Sequence, residues 1–164
     1  MQYFNTTLLG LRGRFHPAIA DLNTSWEVVR ARPHMKFISG SFLTYQMKAD
    51  QSGGSPRCRI CDSGASETIS HIISTCTSLE PDRSRILKEF QALCNMSLSN
   101  VNFDIIKQNE HTLCQFLIDP TSMNLPFRVS VNDSLMPQFF KLSRDLCYTL
   151  DKTRTNILTE LSKT

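Results

Sequence analysis

The stretch Pro56-Arg57-Cys58-Arg59-Ile60-Cys61-Asp62-Ser63-Gly64-Ala65-Ser66-Glu67-Thr68-Ile69-Ser70-His71-Ile72-Ile73-Ser74-Thr75-Cys76 decides the fold. It spaces three cysteines and a histidine as C-x2-C-x9-H-x4-C. Two cysteines three apart can turn both thiolates toward one metal, and Asp62-Ser63-Gly64-Ala65 supplies a turn before the chain resumes. From Ser66 the pattern is helical: Ser66 suits an N-cap, Glu67 suits the positive helix end, and Ile69, Ile72, Ile73 and Cys76 fall at i, i+3, i+4 and i+7. Cys58, Cys61, His71 and Cys76 are therefore predicted to hold one structural Zn²⁺. Three thiolates and an imidazole at about 2.0–2.3 Å fill its tetrahedron and leave no position for a substrate water. The competing reading makes them core thiols and a surface histidine. One tension is built into the spacing. His71 and Cys76 are five apart, about 140° around an α-helix, so Cys76 must leave the regular helical path to meet the same metal.

Outward from this stretch the periodicity is helical. Thr24 and Glu27 predict a capping box. The helix it opens is expected to end before Pro33, which disfavours the helical conformation at Arg32. A second helix then runs to about Lys48, with Met35, Ile38, Phe42 and Tyr45 or Gln46 along one side and Gly40 inside it at a close-packed point. Residues 49–56 are polar and rich in Gly, Ser and Pro, hence a loop. Residues 79–94 are amphipathic through Leu79, Ile86, Leu87, Phe90 and Leu93, and short helices are predicted near 101–107 and 110–118. After a break near 119–126, residues 133–161 carry the longest stripe: Leu135, Phe139, Leu142, Leu146, Leu150, Ile157 and Leu161. Strand character is confined to 127–131. The expectation is an all-α helical domain with an embedded small zinc knuckle. It divides into an N-terminal segment (1–24), helices plus knuckle (25–80) and a C-terminal helical region (81–164).

The 164 residues, 40% apolar and 20% charged, suit a folded chain and exclude wholesale disorder. No apolar run approaches the ~18 residues of a membrane helix, and the start, MQYFNTTLLGLRGRF, lacks the basic region of a secretory signal. An intracellular reducing setting, nucleus and cytoplasm, is expected, with no membrane partner; there, cysteines are metal ligands or core groups before they are disulfides. Cys94, Cys114 and Cys147, each beside a leucine, read as core thiols. His111 and Cys114 form an H-x2-C pair without an evident partner pair, and His16 and His34, beside prolines, read as loop residues. No hydrolase, phosphate-loop, dinucleotide or metalloprotease motif occurs, so neither catalysis nor a small-molecule substrate is expected.

Net charge is +3, unevenly spread: residues 1–59 carry eight basic and three acidic side chains, residues 60–164 ten and twelve. Arg57 and Arg59 flank Cys58, and Lys36 and Lys48 lie on the preceding helix, so these four are the candidate phosphate contacts. Tyr45 is the candidate stacking ring, whereas Phe42 falls on the core side.

Met35-Lys36-Phe37-Ile38-Ser39-Gly40, the polar loop, the C-x2-C and Glu67-Thr68 before His71 and Cys76 together resemble the C-terminal region of non-LTR (LINE-type, chicken-repeat-like) retrotransposon endonuclease–reverse transcriptases. Leu79 through Leu87 with Arg83 and Arg85, Phe116-Leu117-Ile118-Asp119-Pro120 and Leu146-Cys147-Tyr148-Thr149-Leu150 extend the likeness over about 25–155. The resemblance implies a non-catalytic CCHC zinc-knuckle tail that follows the polymerase domains of the same polypeptide. Such a tail binds RNA or DNA and helps position template and target in target-primed reverse transcription. Cys58, Cys61, His71 and Cys76 match its zinc ligands. The chain departs from the family in carrying no polymerase or endonuclease motif. The alternative is a zinc-stabilised helical protein–protein interaction module, co-opted from such an element; a redox-active thiol protein is a more distant third.

Overall fold

The computed structural model describes residue 19 and residues 22–97, 103–122 and 135–163. Helix α1 (Ser25–Ile38) opens with the predicted capping box: Thr24 Oγ1 accepts from the Glu27 amide at 3.2 Å, and the Glu27 carboxylate accepts from the Thr24 amide at 2.9 Å. The helix does not stop at Pro33, which lies buried inside it. The buried face that starts at Ala31 continues past the proline through His34, Phe37 and Ile38. That burial outweighs the roughly 3 kcal/mol that an interior proline costs. The break falls instead at Ser39 and Gly40, where Gly40 takes φ +63° with nothing within 4 Å of a Cβ built on it. Its role is backbone freedom, not close packing.

Helix α2 (Tyr45–Ser52) restarts from an N-cap at Thr44 and ends on Gly53, so it takes up the first half of the predicted polar loop. The knuckle follows and runs into a π-helical turn (His71–Thr75), a 3₁₀ turn (Thr77–Leu79) and α3 (Glu80–Ser97). Then come α4 (Phe103–Lys107), α5 (Glu110–Ile118), a 3₁₀ turn (Pro120–Ser122) and α6 (Met136–Leu161). The described residues are all-α, with one isolated antiparallel bridge, Arg57 to Ser66. The candidate strand at 127–131, His16 and most of segment 1–24 lie outside the described residues.

Helix α6 packs along α1 and α3 and also meets the π-turn and the 3₁₀ turn after it. Phe90, Phe103, Phe116 and Phe139 form an aromatic cluster with ring centroids 5.8–6.2 Å apart. Phe42 is buried and stacks on Phe37 at 4.0 Å, in the core as expected, but from the non-helical link between α1 and the next helix and not from a helix face. One buried cluster runs from Phe37 through Cys58, Ile72 and Phe90 to Leu150, so knuckle and helices share a core. Cys94, Cys114 and Cys147 are buried in it and form no disulfide. His34 is not a loop residue: it is buried on α1, and its Nε2–H donates to the Ile118 carbonyl at the end of α5 at 2.6 Å.

Candidate metal centre

The knuckle is a short hairpin closed by backbone pairing. The Cys58 amide donates to Ala65 O and the Glu67 amide to Pro56 O, both at 2.8 Å. The turn between them needs Gly64, whose φ of +70° suits glycine. Ser78 Oγ donates to Ile60 O and fastens the far side of the loop to the C-x2-C segment. Cys58 and Cys61 thus face the chain that carries His71 and Cys76.

The second ligand pair is brought round by a change of helix type. The expected Ser66 cap is displaced: Ser66 sits in the bridge, and Thr68 Oγ1 accepts from the His71 amide at 3.0 Å instead. Across His71–Thr75 the helix widens, and the Cys76 amide donates to His71 O at 2.7 Å, an i→i+5 bond. A π-turn carries one extra residue per turn and is found at functional sites. It returns the chain to the same side after five residues, which an α-helix does not, and so removes the 140° tension between His71 and Cys76.

The ligand atoms of Cys58, Cys61, His71 and Cys76 all lie within 4.8 Å of one another, and all four residues are buried. Cys58 and Cys76 sulfurs are 4.0 Å apart, and Cys61 Sγ lies 3.4 Å from His71 Nε2. A zinc tetrahedron with Zn–S of about 2.3 Å and Zn–N of about 2.0–2.1 Å has edges of about 3.8 Å (S–S) and about 3.6 Å (S–N). The 4.0 and 3.4 Å separations are near those edges, so the cluster suits a Cys₃His site, while 4.0 Å between sulfurs is far from a disulfide. The other imidazole nitrogen, Nδ1, lies 3.1 Å from Thr75 Oγ1, the outer hydrogen bond that fixes a metal-ligating histidine's tautomer. The group can hold one metal ion.

The thiols are unequal. Burial pushes Cys58 up, with the neighbouring Cys61 and Glu67 charges adding to it. Burial and the Cys58 and Cys61 charges push Cys76 up to about 12. Burial also acts against Cys61, yet hydrogen bonds from the Ser63 side chain and backbone, Cys58 and His71 bring it down to about 6. A dication reverses the mutual repulsion of three thiolates by displacing their protons. Zinc uptake at pH 7 is therefore expected to release at least about two protons per ion, from Cys58 and Cys76. Apparent affinity must then rise with pH and fall on acidification. Indicator-dye acidification of a weakly buffered solution measures the release, and uptake without it would contradict the thiolate assignment.

The outer groups are two arginines and a glutamate that the sequence pattern did not single out as functional. Arg83, 1% exposed, donates through Nη2 to Cys76 O at 2.8 Å and through Nη1 to Ile72 O at 3.4 Å. It thereby satisfies two carbonyls at the π-turn. Glu67, expected at the positive end of a helix, is fully buried and paired with Arg154 of α6.

Of the predicted nucleic-acid contacts, three come together. The Arg59 guanidinium lies 4.5 Å and the Lys48 ammonium 4.9 Å from the Tyr45 ring centroid. Arg57 is exposed on the bridge. Lys36 is exposed on α1 near Asp151, whose carboxyl is raised by burial against the opposing charges of Lys36 and Arg154. His111 is exposed, whereas Cys114 is fully buried, and the metal-ligand group found among the described residues includes neither.

The fold and cluster define an all-α chain with a buried Cys₃His group that can hold a metal ion. No family model matches the chain, and no curated protein or solved structure matches it. Among the described residues no helix is long and apolar enough to cross a membrane.

Proposed function

We propose that the chain is a non-catalytic zinc-knuckle module that binds RNA or DNA, working as the accessory tail of a non-LTR retrotransposon reverse transcriptase. The observation that carries the reading is the cationic cluster of Lys48 and Arg59 around Tyr45. It lies on the loop and helix that flank the Cys₃His group. Zinc holds the C-x2-C turn, and the turn holds Arg57 and Arg59 at its surface. Cation–π contacts of this kind, worth roughly 0.5–1 kcal/mol at exposed sites, orient the two charges without neutralising them. Phosphate groups are the matching partner. Because cations already occupy its surroundings, Tyr45 serves chiefly as their support and less as an open base-stacking surface.

Fluorescence anisotropy with a single-stranded RNA and a DNA duplex, across 50–200 mM salt, tests this. Affinity should fall linearly in log–log form as salt rises. Replacing Arg57 and Arg59 by Ala should flatten the single-strand slope by about 1.4, roughly 0.7 per lost phosphate contact, with zinc content unchanged. Salt-independent binding, or none at micromolar protein, would reject the reading. Exposure of Trp26, Val28 and Val29 on α1 favours the second reading, a zinc-stabilised protein-interaction module, which such a result would leave standing.

A further inference from the structure

Arg154 and Glu67 are 87 residues apart in sequence and form a buried forked pair, with Nη2 to Oε1 at 2.7 Å and Nε to Oε2 at 3.3 Å. The Glu67 side chain is fully buried and that of Arg154 is 10% exposed. The Glu67 carboxylate reaches two other elements as well. Its Oε1 accepts from the Tyr45 amide at the start of α2 at 2.9 Å, and its Oε2 lies 3.9 Å from Cys58 Sγ. Arg154 also donates to Leu43 O at 3.5 Å and lies 5.4 Å from the Phe42 ring centroid.

Charge accounting at this point is unfavourable without the arginine. A zinc ion with three thiolates and a neutral imidazole carries one net negative charge. The Glu67 carboxylate adds a second beside a ligand sulfur, out of water, where like charges repel strongly. Arg154 supplies the compensating positive charge through a fork that suits a carboxylate. It occupies the stripe position of α6 that follows Leu150, buried there while Ile157 and Leu158 are half-buried.

We infer that Arg154 is a positioning residue of the metal centre, so that metal loading and docking of the last part of α6 are one linked event. The inference rests on the zinc reading of the Cys₃His group. Arg154 acts through Glu67: it neutralises the carboxylate, holds it on the Tyr45 amide, and keeps the Cys58 side of the knuckle in register with the helix. Metal binding, by fixing the knuckle, in turn fixes the surface on which residues 151–161 rest.

The test combines zinc affinity, measured by competition with a chromophoric chelator, with amide hydrogen exchange. Arg154→Met should bind zinc about 10- to 100-fold more weakly, the usual effect of losing an outer partner of a metal ligand. Exchange over 151–161 should speed up. Arg154→Lys, which keeps the charge, should recover part of the affinity. The deciding variant is Glu67→Gln with Arg154→Met: removing the stranded carboxylate should restore zinc affinity relative to Arg154→Met alone. A purely structural role predicts the reverse, since the double variant loses more packing and more hydrogen bonds.

The wild-type protein supplies a check that needs no variant. Stripping zinc should accelerate exchange over 151–161 together with 56–79 by about tenfold or more, leaving 139–150 protected. Unchanged exchange over 151–161, loss of protection across every helix at once, or a double variant no better than Arg154→Met overturns the inference. Wild-type protein that takes up no zinc fails the metal reading itself, and this inference with it. Zinc binding without these effects fails the inference alone.

Discussion

A His71→Ala chain is expected to lose its tightly held zinc and, with it, the metal dependence of its stability. Structural zinc contributes on the order of 10 kcal/mol to the folding of small sites at neutral pH, so losing one of four ligands forfeits several kcal/mol. The measurement is the urea midpoint with zinc in excess and again with a strong chelator. Wild-type protein should show widely separated midpoints, and His71→Ala should show nearly coincident ones. Thr75→Ala should fall between them. It leaves all four ligands in place but removes the Thr75 oxygen 3.1 Å from Nδ1 that holds the imidazole tautomer. Equal zinc-dependent shifts in wild type and His71→Ala would mean that the imidazole is not a ligand.

The second large effect falls on Arg83. Replacement by Met keeps the stem but takes the guanidinium from the Ile72 carbonyl and leaves the Cys76 carbonyl with the Leu79 amide alone. A buried group left unsatisfied costs about 1–3 kcal/mol, and a loss of about that size is expected in the zinc-loaded protein. Because the same carbonyls belong to the π-turn, zinc affinity should also fall by about tenfold or more. Arg83→Lys should rescue little, since one ammonium cannot reproduce a fork reaching two carbonyls. Glu80→Gln should be mild: its carboxylate bonds Arg83 but is 54% exposed, and such pairs contribute little. A stable Arg83→Met protein with unchanged zinc affinity would contradict the role assigned to Arg83.

The all-α class was legible because apolar spacing near 3.6 residues persists through most of the described chain, as at Leu142, Leu146 and Leu150. That Cys58, Cys61, His71 and Cys76 cluster was legible from spacing, since thiol and imidazole pairs at such separations suit a common metal ion. The means by which His71 and Cys76 meet was not. A π-turn has no signature in residue type; it arises because the closed hairpin on one side and Arg83 on the other reward the wider turn. The break in the first helical run was misplaced for a related reason. Pro33 carries a strong local penalty, but burial of Ala31, His34, Phe37 and Ile38 overrides it, and the chain turns at Gly40 instead. Two signals for the outer groups were present and unused. Arg154 lies four residues beyond Leu150, and Arg83 four beyond Leu79, each at a position where the helical stripe calls for an apolar side chain. A charged residue in such a place implies a buried partner. Glu67 was masked by its suitability for a helix start, which accounts for a carboxylate at that position without any need of burial.

The central claim is that Cys58, Cys61, His71 and Cys76 hold one zinc ion. Elemental analysis of protein purified under reducing conditions, for wild type and for Cys61→Ser, tests it most directly. One zinc per wild-type chain and markedly less than one in Cys61→Ser is the predicted result. A folded wild-type chain without zinc, which also takes none up when it is supplied, would contradict it and return the four residues to ordinary core duty.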